Sequence, residues 1–480
     1  MAAAVAAERS EQAACPIPAP LARGGNRPVG GESSERPLAA GVRSGPWPPR
    51  SAYLHIPFCH RRCFYCDFAV VPLGDRASGA AGDPGSRSIE AYLALLLQEI
   101  AAAPAGPPLS TVYVGGGTPS MLTAEQLGRL LSAVRQRFGL APGAEVSLEM
   151  DPASFDQARL AGYLAAGVNR VSLGGQSFDD GVLERLGRRH RCTDLRQAAS
   201  WLRQAWRQGS LRSWSLDLIQ GLPGMELPAW REQLRQAIEL GPPHLSVYDL
   251  IIEPGTVFEQ QEARGQLALP EDDLAADLML TTAGDLAAAG YGHYEISNYA
   301  RPGHASRHNR VYWSGAGWWG FGLGATSAPW GQRLARPRTR EGYAAWLRTP
   351  ASEGNAAAST QTMPFEERVM VGLRRREGVR LEDLARSAGV SAAALAELEH
   401  RWQPYQQAGL LRRRGARWSL RDPEGLALSN AVLRELLTWW EAWAEDRPPR
   451  PAGPPHTADG PAAGAGRTAA AARSGPADPP

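Results

Sequence analysis

Residues 55–68 read HIPFCHRRCFYCDF, and this stretch holds three of the five cysteines in the 480-residue chain. Cys59, Cys63 and Cys66 follow the apolar segment SAYLHIPF (51–58), which has the composition of a buried strand. The cysteines should therefore lie on a loop after a strand, which is where barrels of alternating strands and helices carry their chemistry. The C-x3-C-x2-C spacing predicts a site for a metal ion or a metal cluster.

The residues alone leave two kinds of metal site open. Thiolate sulfur is a soft ligand that suits zinc or an iron–sulfur cluster. A structural zinc ion needs four ligands, and His55 or His60 would have to supply the missing one. A [4Fe–4S] cluster is normally held by four cysteines, so three cysteines would leave one iron open to an exchangeable ligand.

Six short apolar segments alternate with longer segments whose apolar residues recur at helical spacing. A strand followed by a helix, repeated six times, predicts parallel strands joined by crossover helices. We therefore expect an α/β fold, a partial (β/α)6 barrel whose site lies at the carboxyl ends of the strands. The predicted strands are 51–58, 111–117, 145–150, 169–175, 214–219 and 244–250.

The character of the sequence changes after residue 360. Helical patterns there are followed by GLLRRRGARWSL (409–420), which predicts a hairpin and a small winged-helix-like α/β domain. Both ends of the chain are rich in Ala, Pro and Gly, a composition that does not bury a core. The expected boundaries are a disordered tail at 1–50, the barrel domain at 51–330, a linker at 331–360, the accessory domain at 361–445 and a disordered tail at 446–480.

The overall composition excludes several classes of protein. Lys and Arg number 51 against 49 Asp and Glu, so the net charge of +2 gives no field that favours nucleic acid. No apolar run has the roughly 18–20 residues needed to cross a bilayer. The N-terminus lacks the apolar core of a secretory signal, and carboxylates such as Glu8 and Glu11 are unusual in transit peptides. We expect a cytoplasmic protein that does not bind nucleic acid.

The cysteine spacing, on the first loop of a strand–helix repeat, resembles the signature of the radical S-adenosylmethionine (SAM) superfamily. Tyr65, an aromatic residue before the last cysteine, strengthens the likeness. The resemblance implies that Cys59, Cys63 and Cys66 hold a [4Fe–4S] cluster and that SAM chelates its open iron. In that superfamily, an electron from the cluster can split SAM to give a 5′-deoxyadenosyl radical.

Phrases such as GGGTPS, NRVSLGGQSF and LDLIQGLPG carry a narrower resemblance, to the oxygen-independent coproporphyrinogen III oxidase family. From the residues themselves, the glycines and the Thr118 hydroxyl could bond a ligand, and a carboxylate at a strand end favours a polar ligand. Two positions depart from the family pattern, Asp151 where Asn is frequent and Gly175 where an apolar residue is frequent, and neither is an implied contact. The implied SAM contacts are Tyr53, Tyr65, Gly116, Gly117, Thr118, Glu149, Gln176, Arg188 and Asp217.

Two features separate the branches of this family. The dehydrogenase branch carries C-x3-C-x2-C-x-C, whereas Asp67 and Phe68 follow the last cysteine here. The CDF ending and HNRVYW (308–313) instead resemble the HemW-like haem-chaperone branch. That resemblance implies that His308 ligates haem iron as a neutral imidazole, with Tyr312 and Trp313 as flat apolar surface.

Other interpretations of this segment and of the whole chain stay open. His308, Tyr312 and Trp313 are also compatible with an ordinary core, and His304 is a second candidate ligand. The expected function is a haem chaperone with haem as cargo. Its implied partners are apo-haemoproteins, an electron donor such as a flavodoxin or ferredoxin, and a membrane surface during delivery. The alternatives are a coproporphyrinogen III dehydrogenase, another radical SAM enzyme of porphyrin metabolism, and a zinc-stabilised binding protein.

Overall fold

The computed structural model describes residues 48–329, 333–349 and 363–445. The two expected disordered tails lie outside the described residues, except for 48–50. None of the described helices is long and apolar enough to cross a bilayer. The strands are β1 (Ser51–Ile56), β2 (Phe58–Cys59), β3 (Val71–Pro72), β4 (Leu109–Gly116), β5 (Leu140–Met150), β6 (Arg170–Gln176), β7 (Ser213–Gln220), β8 (His244–Asp249), β9 (Gly292–Glu295), β10 (Asn298–Ala300), β11 (Trp319–Phe321), β12 (Thr326–Ser327), β13 (Leu334–Ala335), β14 (Val379–Arg380), β15 (Leu411–Arg414) and β16 (Arg417–Leu420).

Helices connect the strands of the larger domain and make up most of the smaller one. Those of the larger domain are α1 (Ser86–Ala102), α2 (Ala124–Phe138), α3 (Gln157–Ala166), α4 (Asp180–Arg185), α5 (Cys192–Arg207), α6 (Leu227–Leu240), α7 (Val257–Ala263), α8 (Asp272–Ala288), α9 (Arg307–Ser314) and α10 (Arg340–Arg348). Those of the smaller domain are α11 (Phe365–Leu373), α12 (Leu381–Ala388), α13 (Ala392–Arg401), α14 (Gln403–Gln407), α15 (Glu424–Ala427) and α16 (Ser429–Glu445).

The six predicted strands form the centre of a nine-stranded sheet. The strands β1, β4, β5, β6, β7 and β8 lie side by side in chain order, and every neighbouring pair is parallel. This confirms the expected partial (β/α)6 barrel. Three further strands were not predicted: β11 pairs parallel to β1 at one edge, and β10 and β9 continue antiparallel from β8 at the other. They have only three or four residues each, too few to show an alternating pattern.

Alternation along the strands separates an apolar face from a polar one. Leu54, Leu148 and Leu216 are fully buried within the main core. Residues of the opposite parity, such as Glu149 and Asp217, project towards the inside of the barrel because successive side chains of a strand point to opposite faces. The parallel register brings the carboxyl ends of these strands to one edge, so polar groups far apart in sequence meet there.

The C-terminal part is a small domain with its own core. Helix α11, strand β14, helices α12 and α13 and the pair β15–β16 follow one another, with the strands in the order β14–β16–β15. The antiparallel pair β15–β16 confirms the hairpin predicted at 409–420. Trp402, Trp418 and Trp439 are buried in this core, which also includes Trp313 from the barrel helix α9. The winged-helix-like domain therefore packs directly on the barrel.

The expected linker at 331–360 differs from the structure over residues 333–349. Strand β13 pairs with β12, and α10 packs on α1 with Tyr343 fully buried. Arg336 lies within 2.8 Å of the buried Glu99 carboxylate, which also accepts a bond from the Tyr343 hydroxyl at 2.6 Å. The apolar side chains of α10 recur at helical spacing and find a partner surface on the barrel, so these residues belong to its core.

We expect Glu99→Ala to lower the free energy of unfolding by about 3–5 kcal/mol, because it leaves the buried Arg336 guanidinium without a counter-charge. Urea denaturation followed by circular dichroism would measure the loss. Glu239→Ala is the matched control, because Glu239 pairs with Arg235 at an exposed site, where solvent screens the charges and the loss should be small. Equal losses in the two variants would contradict the structural role of Glu99.

Candidate functional site

A pocket of about 380 Å³ opens at the carboxyl ends of the parallel strands. This volume is typical of small-molecule sites, which span roughly 300–1,000 Å³. Tyr53 and His308 do not line it but face a smaller cavity of about 60 Å³, nearer the amino ends of the strands. The pocket is lined by the other eleven of the thirteen predicted site residues: Cys59, Cys63, Tyr65, Cys66, Gly116, Gly117, Thr118, Glu149, Gln176, Arg188 and Asp217.

The three cysteines form one wall of this pocket as free, partly buried thiols. Cys59 ends β2, and the turn after it is fixed by a backbone bond from Cys66 N–H to the Cys63 carbonyl at 3.2 Å. Burial raises the pKa of Cys59 to about 12 and that of Cys66 to about 11, so a metal would have to displace protons. Within the described residues, no group of three or more His, Cys, Asp or Glu side chains is arranged to hold a metal ion.

The glycine run after β4 packs tightly against the cysteine loop. A Cβ added at Gly117 would lie 2.6 Å from the Phe58 carbonyl oxygen and 2.9 Å from the Cys59 sulfur. Its N–H donates to the Ile56 carbonyl at 2.8 Å, and Thr118 N–H donates to the Phe58 carbonyl at 2.6 Å. These N–H groups are therefore used inside the protein, in contrast to our expectation that they bond a ligand.

Two half-buried carboxylates also line the pocket. Glu149 accepts bonds from the Tyr113 hydroxyl and the Gly116 N–H, both at 2.9 Å, and burial raises its pKa to about 7. Asp217 accepts from the hydroxyls of Ser172 at 2.8 Å and Ser215 at 3.1 Å, and burial raises its pKa as well. Because these hydrogen-bond partners are neutral, the pair of carboxylates favours a cationic ligand.

Gln176 and Arg188 bring unpartnered polar atoms to the pocket. Gln176 has a φ of 58° and is, within the part of the chain that the structure describes, the only residue other than glycine with a positive φ. Such a backbone costs on the order of 1–3 kcal/mol and is often found at functional sites. Its Oε1 and the Nε of Arg188 are buried without a hydrogen-bond partner. These buried atoms, in the same pocket as the three thiols, fit a polar ligand.

Asp151 lines the pocket although we did not predict it as a site residue. Its Oδ2 accepts a hydrogen bond from Arg188 Nη2 at 2.7 Å. The departure from the family pattern at this position therefore touches an implied SAM contact directly. Asp151 follows Glu149 by two residues and so continues the same face of β5, a period-two signal that could have revealed it.

His308 lies in the barrel interior, away from the thiols. Its side chain is 0% exposed, with Nδ1 2.8 Å from the Thr111 hydroxyl and Nε2 2.8 Å from the Tyr312 hydroxyl. Burial lowers its pKa to about 3, so the imidazole is neutral, as a haem ligand would be. Both nitrogens are engaged, however, so the expected free ligand is not found in this arrangement.

The two aromatic residues of the same helix point in different directions. Tyr312 lines the 60 Å³ cavity, whereas Trp313 is buried in the core shared with the C-terminal domain. They therefore do not form the joint flat surface that we expected. His304 lies before α9, which begins at Arg307, and its Nδ1 is 3.0 Å from the Ser213 hydroxyl.

Comparisons with known proteins agree with this geometry. A family profile described as "Radical SAM superfamily" matches residues 53–232, and one described as "HemN C-terminal domain" matches 360–428. The chain is 41% identical over 406 residues to "Heme chaperone HemW" of Synechocystis sp., covering 81% of this chain and 96% of that protein. It is 40% identical over 296 residues to "Heme chaperone HemW" of Escherichia coli, covering 61% and 74%.

A solved structure shares the fold. The coproporphyrinogen III oxidase HemN from Escherichia coli, described as a radical SAM enzyme, superposes with a TM-score of 0.67 at 23% identity. The match covers 85% of this chain and 97% of that one. At this identity the likeness supports the architecture alone.

We expect Gly117→Ala to prevent retention of iron and sulfide, because the added Cβ would displace the cysteine loop from β4. Iron and sulfide per chain after anaerobic reconstitution would measure this. Gly284→Ala is the matched control: nothing lies within 4 Å of a Cβ there, and a helical Gly→Ala change stabilises by about 0.5–1 kcal/mol. Full iron content in Gly117→Ala would show that the close contact is not needed.

Proposed function

Because this chain belongs to the HemW family of the radical SAM superfamily, we propose that it is a haem chaperone that binds a [4Fe–4S] cluster and SAM and delivers haem to apo-haemoproteins. The observation that carries the proposal is the pocket of about 380 Å³, which is lined by three thiols and two half-buried carboxylates. The chaperone role is proposed from the relatives, which are named haem chaperones.

In this proposal, Cys59, Cys63 and Cys66 hold the cluster, which when bound can supply one electron to SAM. Two neighbouring groups hydrogen-bond the sulfurs: the Thr118 hydroxyl bonds Cys59, and Arg188 Nη1 lies 3.5 Å from the Cys63 sulfur. Donors to cluster sulfurs stabilise the thiolates and raise the reduction potential. The chain's contribution is therefore to position the sulfurs and to set their charge.

We assign the recognition of SAM to charge and to the unpartnered polar atoms. SAM carries a sulfonium, and the neutral surroundings of Glu149 and Asp217 leave both carboxylates free to stabilise a cation once they are ionised. The free Oε1 of Gln176 and Nε of Arg188 can bond its polar groups. Tyr53 would contribute from the cavity beneath.

We further propose that the protein works in the cytoplasm, with a flavodoxin or ferredoxin as electron donor, and that it does not use nucleic acid as a partner. The net charge of +2 and the clustered, unpaired cysteines support this placement.

For the cargo, we propose His308 as the haem ligand after a movement of α9. The Tyr312 hydroxyl would have to release Nε2, because a cavity of about 60 Å³ is far too small for a porphyrin. Helix α9 has eight residues and is flanked by Gly303 and Gly315, whose φ angles are 84° and 68°. Glycines tolerate large backbone changes, so in this proposal α9 moves at these two points and Trp313 leaves the core that it shares with the C-terminal domain.

We expect the affinity for SAM to rise with pH up to about 7, because Glu149 must lose its proton before it can stabilise a cation. The gain approaches about tenfold per pH unit below that value. Calorimetric titration of the anaerobic, reconstituted protein between pH 5.5 and 8.5 would measure the dissociation constants, and Glu149→Gln should lose this part of the dependence.

The matched control for this experiment is Glu295→Gln. Burial also raises the pKa of Glu295 to about 7, but Glu295 does not line the pocket. The pH dependence of SAM binding should therefore stay the same in this variant. An unchanged profile in Glu149→Gln would remove Glu149 from the binding site.

We expect His308→Ala to weaken haem binding at least tenfold, because the iron loses its axial nitrogen. The Soret absorbance of anaerobic protein titrated with haem measures this affinity. His304→Ala is the matched control, since it removes a histidine four residues away that bonds Ser213 instead. If the His304 variant lost haem and the His308 variant kept it, the assignment would be reversed; if neither lost it, the ligand lies elsewhere.

A further inference from the structure

Asp151 is held in place from several sides, close to the thiol wall. Its Oδ1 accepts a bond from Ala153 N–H at 3.0 Å, and its Oδ2 accepts one from Arg188 Nη2 at 2.7 Å. The buried ring of His190 approaches the same oxygen at 3.6 Å. Burial alone would raise the pKa of Asp151, but Arg188 and His190 outweigh it and hold the pKa well below its usual range. The pocket therefore contains a fixed negative charge at neutral pH.

Arg188 is shared between this carboxylate and the sulfur wall. Its Nη2 binds Asp151 and also the Gly174 carbonyl at 3.2 Å, while Nη1 lies 3.5 Å from the Cys63 sulfur. The side chains of Arg188 and Asp151 are only 13% and 15% exposed, so water screens the pair weakly. A single guanidinium thus connects a carboxylate to a predicted ligand of the cluster.

We propose that Asp151 is a positioning residue that keeps the reduction potential of the cluster low, by holding Arg188 and compensating its charge beside Cys63. This inference rests on the proposed function, because it requires the cluster. It adds a residue that the family resemblance does not include among the SAM contacts, at a position where Asn is frequent in the coproporphyrinogen oxidase family.

The direction of the effect follows from charge. Reduction adds one electron to the cluster, so a nearby positive charge favours the reduced state and a nearby negative charge opposes it. Asp151 supplies the negative charge directly and also draws the guanidinium away from full interaction with the sulfur. Both effects lower the potential. In a partly buried site, where solvent screens charges weakly, we expect one unit charge at several ångströms to change the reduction equilibrium about tenfold or more.

A low potential would suit a protein that carries SAM without using it up. An electron donor of given strength would reduce fewer clusters, and bound SAM would stay intact for longer. Asp151 would then be one reason why a chain with a complete set of SAM contacts acts as a carrier.

The test is an anaerobic redox titration of the reconstituted protein, with the reduced cluster followed by electron paramagnetic resonance. Asp151→Asn keeps the size of the side chain and an acceptor oxygen but removes the charge. We expect its midpoint potential to be more positive by about 59 mV or more, a tenfold change for one electron. Asp151→Glu keeps the charge and should stay near the wild-type value. Arg188→Gln should shift the midpoint in the opposite direction.

Asp75→Asn is the matched control for removing a charge. Asp75 pairs with Arg61, which lines the pocket. The side chain of Asp75 is 45% exposed, so solvent screening should leave the reduction potential almost unchanged. An unchanged or more negative midpoint in Asp151→Asn, with Asp75→Asn like wild type, would overturn this inference alone. A wild-type protein without iron and sulfide would instead overturn the proposed function.

Discussion

The site depends on two backbone hydrogen bonds that join the end of β1 and the start of β2 to the residues after β4. Gly117 N–H donates to Ile56, and Thr118 N–H donates to Phe58, so the glycine run and the first cysteine are held in one unit. This contact is possible only because position 117 has no Cβ, which would otherwise lie within 3 Å of the Cys59 sulfur. The structural role of Gly117 is therefore to let the backbone after β4 lie directly against the first thiol.

Around this unit, the charged groups of the pocket differ in whether they have a charged partner. The thiols lie beside the ion pair of Arg188 and Asp151, while the carboxylates of Glu149 and Asp217 have only neutral hydrogen-bond partners. The ion pair thus has internally compensated charges, whereas Glu149 and Asp217 are half-buried acids that are poorly stabilised when ionised. A cation entering the pocket would gain most beside these two acids. The asymmetry gives the pocket a preferred orientation for a charged ligand.

Much of the barrel fold could be predicted from the sequence because its six central strands lie side by side in chain order. Six apolar segments of six to eight residues were long enough to be recognised, and parallel pairing gathers their ends at the edge where the pocket lies. The individual SAM contacts were instead implied by the family resemblance. The short edge strands β9, β10 and β11 escaped because three or four residues carry no pattern. The environment of His308 also escaped, because its partner Thr111 is 197 residues away and no local signal reports such a contact.

Helix α9 belongs to two cores at once. His308 on one side lies inside the barrel, and Trp313 on the other is buried with Phe365 and Val369 of the C-terminal domain. Ile296, the residue after β9, is buried in the same shared core, and its N–H donates to the Arg374 carbonyl at 3.0 Å. Removing residues 363–445 would expose this apolar surface to water and release one face of α9. The barrel therefore relies on the C-terminal domain to keep this surface dry, so the two domains share part of their stability.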